Sequence, residues 1–451
     1  MKLSPFLSWC AAQGIQSNIQ ICSQPADSAS GTYRYVTWRE ESEKEAAEPI
    51  LPFVNNNDDS NNDGRSLIRF RASACLTGTS STDLAENLLN EASQKESSRF
   101  ASYIQLLPKL ADFQTMPRFW PKEQVELVSK YDGGLLKQAL ESDETRIKSF
   151  VEKKNNFDDA ETLQWALACA DSRSNYLPSP ENPNEYIFAM TPILDMINHD
   201  GSVSTKMKTI ERSKENGESE YILQIEDKDG KPGKSIDRAG SKSSNPRNDG
   251  ISFWDRLFSG GNEAAEYNEM KEVCISYGPL TNLATLCNYG FVSATDTDDI
   301  DGDTANPCNL EPVTVRLIGK PPVTIVIQSD GSIRRSALGS DDGLSKLREY
   351  LMTDQERREL EDSLDSPSFS TLSIVSSRNE EEVFALIGGE LEEAIYLAKM
   401  GLRALDEDTD AATKPFYRPA RNYLAGRFET LSRGVARIGK EYPDLFWDGG
   451  Q

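Results

Sequence analysis

The sequence predicts an α+β protein of more than one domain, with helices outweighing strands. Three observations predict it. At 451 residues the chain exceeds the size at which a single core stays efficient, so two or three domains are expected. Strand-like stretches bracket a helical block at residues 83–171. From Leu344 to the end the periodicity is helical throughout.

Composition narrows the class. Hydrophobic residues make up 37% and charged residues 27%, which describes a soluble globular chain carrying polar insertions. No apolar run reaches the roughly 18 residues that a membrane span needs. Residues 6–12 are apolar after one lysine but short, with no cleavage pattern, so no signal peptide is expected. That points to cytoplasm or nucleus, with a plastid address left open. The net charge of -24 argues against sequence-independent nucleic-acid binding, because the phosphates would be repelled. The acidity serves either solubility or attraction of a basic protein segment. Seven scattered cysteines with no Cys-x-x-Cys, beside a single histidine, argue against structural zinc and suit reduced, buried thiols.

The elements follow in order. Phe6, Leu7, Trp9 and Cys10 suit a short helix ended by Gly14. Residues 31–38 are aromatic and β-branched and read as a strand. The Asn/Asp-rich stretch 55–63 can bury nothing and reads as a disordered loop. Residues 67–76 alternate again as a strand. Thr82 or Asp83 caps a helix carrying Leu84 and Leu88. Pro117 to Pro121 is a turn, and residues 122–130, 134–153 and 158–171 are helices. Residues 174–183 read as a loop and 211–261 as a long polar excursion, within which residues 220–226 alternate as a strand. Residues 313–318 and 323–327 are the last strands, and 344–364, 380–406 and 418–441 are helices. No internal repeat is evident.

Two stretches carry the chemistry. Met190-Thr-Pro-Ile-Leu-Asp-Met-Ile-Asn-His199 is apolar and ends on the only histidine of the chain. Residues 273–292 contain Ile275-Ser-Tyr-Gly-Pro-Leu-Thr-Asn282 and Asn288-Tyr-Gly-Phe291. Taken alone, Asn198-His199 reads as a core pair at a strand end, and Tyr277-Gly278 as packing. Together, and in this order, they are highly particular.

They resemble SET-domain protein methyltransferases, in the branch of the Rubisco large-subunit lysine methyltransferase and the actin-histidine methyltransferase. Pro192-Ile-Leu-Asp-Met-Ile-Asn-His199 matches the Pro-x-x-Asp-x-x-Asn-His segment of that branch, and residues 275–282 and 288–291 match its catalytic-tyrosine segment. Residues 100–108, 116–125, Asp171-Ser-Arg173 and 347–353 extend the likeness. One departure stands out. The family opens its first strand with Gly-x-Gly, whereas here Gly31-Thr-Tyr33 places a tyrosine at the second glycine, and the alternative, Gly64-Arg-Ser66, is followed by the 67–76 strand too soon for the usual spacing.

The resemblance implies a split SET β-fold: an N-terminal part at 1–80, a helical insertion at 81–175, and a C-terminal part at 176–299 holding the 211–261 loop. An all-helical substrate-binding domain at 300–451 would follow. It implies an S-adenosylmethionine-dependent protein methyltransferase, most plainly a protein-lysine N-methyltransferase acting on a non-histone protein, as a monomer, with no metal. Tyr277 would be catalytic, and Asn198, His199 and Arg173 would contact the cofactor, His199 as an ordered, non-titrating residue and no general base. Tyr289 and Phe291 would line the acceptor channel. Asn175 stands where lysine-modifying members place an aromatic residue, which leaves a histidine acceptor as an alternative. A further alternative, supported by Tyr33, is a SET-derived binding module that has lost its cofactor.

Overall fold

Alternating burial and local capping place the elements, which are labelled in chain order. The computed structural model describes residues 4–17, 19–25, 32–38, 66–153, 159–179, 181–182, 184–199 and 204–210. It further describes 219–226, 273–292, 306–334, 343–363, 374–408 and 411–443. The chain opens with α1 (Ser4–Ala12), β1 (Gln16–Ser17), β2 (Ile19–Pro25), β3 (Thr32–Trp38), β4 (Ser66–Arg71) and β5 (Leu76–Gly78). Helices α2 (Ser81–Ser93), α3 (Ala101–Ile104), α4 (Lys122–Tyr131), α5 (Leu135–Lys153) and α6 (Ala160–Arg173) follow. Next come β6 (Ser174–Pro178), β7 (Tyr186–Met190), β8 (Asn198–His199), β9 (Ser204–Ile210), β10 (Glu220–Glu226) and β11 (Cys274–Ile275). The rest comprises α7 (Asn282–Tyr289), β12 (Leu310–Val315), β13 (Val323–Gln328), α8 (Gly343–Tyr350), α9 (Asp354–Ser363), α10 (Ser377–Glu407) and α11 (Tyr417–Glu441).

These elements group into two compact units, the first within 1–112 and 147–279 and the second within 113–146 and 280–451. The division departs from the boundaries expected at residues 80, 175 and 299. Packing explains why. Helices α2 and α6 bury Leu84, Leu88, Leu163 and Leu167 and pack on each other within the first unit. Trp120, Val128 and Leu136 instead share a core with Phe416, Tyr423 and Leu424 in the second. The expected helical insertion is therefore divided between two cores.

In the first unit, strands β1, β4, β10 and β9 form an antiparallel sheet in that order. Its register sets Phe70 opposite Tyr221, with ring centroids 5.5 Å apart. Ile68, Phe70 and Tyr221 are fully buried, as alternation in β4 and β10 foreshadows, whereas Leu67, on the opposite face of β4 from Ile68, is buried as well. Strands β5, β7 and β6 form a second antiparallel sheet. The expected strand at 67–76 is interrupted by a 3-10 turn at Ala72–Ala74, which sends β5 into this second sheet. Strand β6 occupies a stretch read as loop. Asn175 and Pro178 are poor strand formers, and the ladder to β7 overrides them. The α2 cap is Ser80, not Thr82 or Asp83: its Oγ accepts the Asp83 amide at 3.1 Å, while the Asp83 carboxylate accepts the Thr79 amide at 2.8 Å.

Strands β2 and β3 pair as a hairpin with Tyr33 opposite Gln24, and Gly31 lies outside the described residues. The loops expected at 55–63 and 211–261 also lie outside them, apart from β10 and the residue before it.

The second unit is helical around one hairpin, so the C-terminal part is not all helical. Strands β12 and β13 turn Val313, Val315, Val323, Ile325 and Ile327 into a core with Leu344, Ile387 and Leu391. The helix expected over 344–364 is broken at 351–353, where Thr353 and Glu356 cap α9 reciprocally. Helix α7, not foreseen, is capped by Thr281 and closed by Gly290 at φ 73°. A Cβ at Gly290 would run into Thr115 and the Met116 backbone, so only glycine serves here.

A buried polar chain ties α7, β12 and α11 together. Asn309 Oδ1 accepts the Asn282 amide at 3.0 Å, and Asn309 Nδ2 donates to Glu311 at 3.0 Å. Arg427 Nη1 meets Glu311 Oε2 at 2.5 Å with both side chains under 5% exposed. Removing one partner would leave a buried charge uncompensated. Arg427→Ala is therefore expected to destabilise the chain by about 3–5 kcal/mol in denaturant unfolding.

Asp132 caps α5, accepting the amides of Gly134, Leu135 and Leu136 within 3.0 Å. Burial lifts its carboxyl to about 6, against the pull of the Leu136 amide and Arg427. The folded chain thus holds this proton more tightly than the unfolded one, so the stabilisation is full at low pH and is lost as pH rises from about 4 to about 6. Unfolding titrations over that range should show Asp132→Asn with a flatter pH slope, the difference amounting to roughly 3 kcal/mol. An unchanged slope would contradict the assignment.

Candidate functional site

The first unit brings the two motif stretches together by a two-residue parallel pairing. Cys274 stands opposite Asn198 and Ile275 opposite His199. Parallel strands need a crossover, and here the register delivers the residue two past Ile275, Tyr277, back over His199. The Tyr277 amide donates to His199 Nδ1 at 3.0 Å, and the two rings lie 4.9 Å apart at 36°. The Tyr277 hydroxyl donates to the Ile197 carbonyl at 2.8 Å. Its proton is committed to that carbonyl, so the lone pairs of Oη are what it can offer elsewhere.

The turn before β8 is held from behind. Ile193, fully buried, sits at φ 74°, ψ -49°, one of two non-glycine residues with positive φ among those described. A β-branched residue there is strained, at roughly 1–3 kcal/mol. Asp195 secures the turn: its amide donates to the Thr191 carbonyl at 3.0 Å, and its carboxylate accepts the Tyr103 hydroxyl at 2.5 Å. Arg173, the last residue of α6, donates from Nη1 to the Asp195 carbonyl at 3.0 Å and lies 3.6 Å from its carboxylate. The Asp195 side chain is fully buried. Burial pushes that carboxyl above the usual range, against the opposing pull of Arg173 and the Tyr103 bond.

Two buried atoms of this network have no hydrogen-bond partner among the described residues: Arg173 Nε, a donor, and Asp195 Oδ1, an acceptor. A buried polar atom without a partner costs free energy, so these two atoms are the under-satisfied members of the network.

Of the expected site residues, Tyr277, Asn198, His199, Arg173 and Asn175 all belong to the first unit. Asn175 is the second residue of β6, opposite Ala189, and its Nδ2 lies 3.5 Å from the Arg173 carbonyl. Tyr289 and Phe291 belong to the second unit, flanking Gly290 with ring centroids 6.0 Å apart. Their acceptor-channel role rests on the resemblance. Asp195 and Tyr103 were not singled out as site residues. The one carboxylate inside the apolar run 192–197 is the signal that could have found Asp195.

Other chemistries find little support. Among the described residues no group of three or more His, Cys, Asp or Glu could hold a metal ion, and no helix is long and apolar enough to cross a membrane. Cys75 and Cys169 are buried and pushed up to about 12 by burial, which makes them poor nucleophiles.

Neither a protein-family model nor a curated protein sequence matches the chain. Solved structures do. The SET domain of LSMT bound to lysine and AdoHcy aligns with a TM-score of 0.60 at 13% identity, over 99% of this chain and 93% of that one. Rubisco LSMT bound to AdoMet aligns at 0.58 and 12% identity, over 99% and 93%. Rubisco LSMT bound to sinefungin and monomethyllysine aligns at 0.57 and 13%, over 98% and 92%. With its small split sheets and its helical C-terminal region, this chain has the SET-domain fold of the Rubisco LSMT structures.

Proposed function

We propose that the chain is an S-adenosylmethionine-dependent protein methyltransferase whose acceptor is a lysine of a non-histone protein. The observation that carries the reading is the Tyr277 crossing: a tyrosine fixed at its amide by His199 and at its hydroxyl by the Ile197 carbonyl. The likeness in fold to structures that hold AdoMet, AdoHcy, lysine and monomethyllysine supports it.

The residues present fit the cofactor. Its methionyl end carries a carboxylate and an ammonium, which complement the orphan donor of Arg173 and the orphan acceptor of Asp195. Asn198 and His199 would hold the rest through β8. When bound, the cofactor supplies an electrophilic sulfonium methyl. The protein's task is then to align a neutral amine with that methyl and exclude water. Tyr277 Oη donates its proton to Ile197, so it would act toward the cofactor and the amine as an acceptor, through methyl C–H contacts and an N–H bond. A lysine reaches its neutral form by desolvation, so no protein base is needed for the transfer. The net charge of -24 favours an acceptor on a basic segment.

Two outcomes are expected. Purified protein with methyl-labelled S-adenosylmethionine should label protein in a cell extract at lysine, and Tyr277→Phe should lower the rate by about 10²–10³-fold while cofactor still binds. A folded wild type that labels nothing would contradict catalysis, and labelled histidine would move the acceptor to that alternative. Calorimetry should give micromolar binding of the cofactor to the wild type, weakened about 10–100-fold in Arg173→Met. Absence of binding to the wild type would favour the binding-module alternative.

A further inference from the structure

His199 is the only histidine in the chain, and its side chain points at the residue that matters most for the proposed reaction. An imidazole nitrogen that accepts an N–H must carry a lone pair, so the Tyr277 amide at 3.0 Å requires His199 Nδ1 to be unprotonated. The neutral ring that accepts this bond is thus the Nε2–H tautomer. Adding a proton at Nδ1 would set two N–H donors against each other. The tyrosine would then lose the tie at its amide while its hydroxyl stays bonded to Ile197. Both ties belong to one crossing, because Ile197 and His199 flank Asn198 on the same short segment.

The titratable groups around the crossing, among the described residues, are few. Tyr277 and Cys274 come with the β11 segment. Asp195 lies in the turn before β8 with Tyr103 behind it, and Arg173 reaches in from α6, close enough to feel Tyr277. Arg173 and Asp195 are paired with each other, so their fields at the ring oppose.

We propose that His199, unlike the non-titrating residue that the resemblance implies, is a positioning residue whose neutral ring sets the Tyr277 backbone, so that protonation of this ring removes the amide tie and slows methyl transfer. This rests on the methyltransferase reading for its consequence, while its geometry is testable without any activity. His199 exchanges no proton with the acceptor. It acts through Tyr277 alone.

The test uses the full chain labelled with ¹⁵N on histidine and tyrosine. One histidine gives one ring, and the Tyr277 amide is the tyrosine signal that disappears in Tyr277→Phe. The expected result is an Nε2–H ring at about pH 8 and a Tyr277 amide that moves with the same midpoint as the ring on acidification. His199→Ala should shift that amide at every pH. His199→Asn offers a non-titrating oxygen at the position of Nδ1 and should restore the amide and abolish its pH dependence. In the transfer assay, the wild type should lose about tenfold in kcat across the ring titration relative to His199→Asn, which keeps only the pH dependence of the acceptor amine. An Nδ1–H ring, or a Tyr277 amide that ignores the ring, would overturn the inference even if methyl transfer is found. A coupled titration in a chain that transfers no methyl would uphold the geometry and instead overturn the functional reading.

Discussion

The hydrogen bond from the Tyr277 amide to His199 Nδ1 joins residues 78 positions apart, and the site exists only because that bond and its neighbour can form. Two parallel residue pairs, Asn198 with Cys274 and Ile275 with His199, set the register. A slip of one residue would turn the opposite faces together and carry Tyr277 away from both His199 and the Ile197 carbonyl. A pairing of two residues is too short to hold itself. Its stability has to come from what packs around it.

That support comes from the buried group behind the turn. Asp195 is expensive to bury, and the cost is offset by the Arg173 pairing, the Tyr103 hydroxyl and the backbone bond to Thr191. In return the turn is held with Ile193 in a strained conformation, which feeds Ile197, Asn198 and His199 into β8 in a fixed sequence of directions. Arg173 occupies the junction. One of its nitrogens serves the fold through the Asp195 carbonyl, while another is buried and has no partner among the described residues. The same guanidinium thus braces the turn and keeps one nitrogen uncommitted among the described residues.

Much of the architecture was legible in the sequence where elements are long enough for periodicity to show. Strand β10 and the helices α4, α10 and α11 lie within a residue or three of the expected stretches. Short elements were not legible in that way. Strand β6 contains Asn175 and Pro178 and looks like a loop until β7 supplies its ladder. Helix α7 is eight residues between two motif segments, fixed by the Thr281 cap and the Gly290 turn. The two-residue strands β8 and β11 have no period at all, and only the order of Asn198-His199 and Tyr277 exposed them. The division into two cores escaped the sequence because α2 and α6 choose each other across some seventy intervening residues. The partnership of Tyr103 with Asp195, 92 positions apart, was hidden for the same reason.

We propose that S-adenosylmethionine binds at this crossing, braced by Arg173, Asp195 and Tyr103. Hydrogen exchange of the full chain with and without the cofactor tests it most directly, since exchange reads local opening segment by segment. Added cofactor is expected to slow exchange at the backbone amides of both motif stretches together, around Asn198-His199 and around Ser276-Tyr277. Slowing confined to other segments, or none at saturating cofactor, would contradict it.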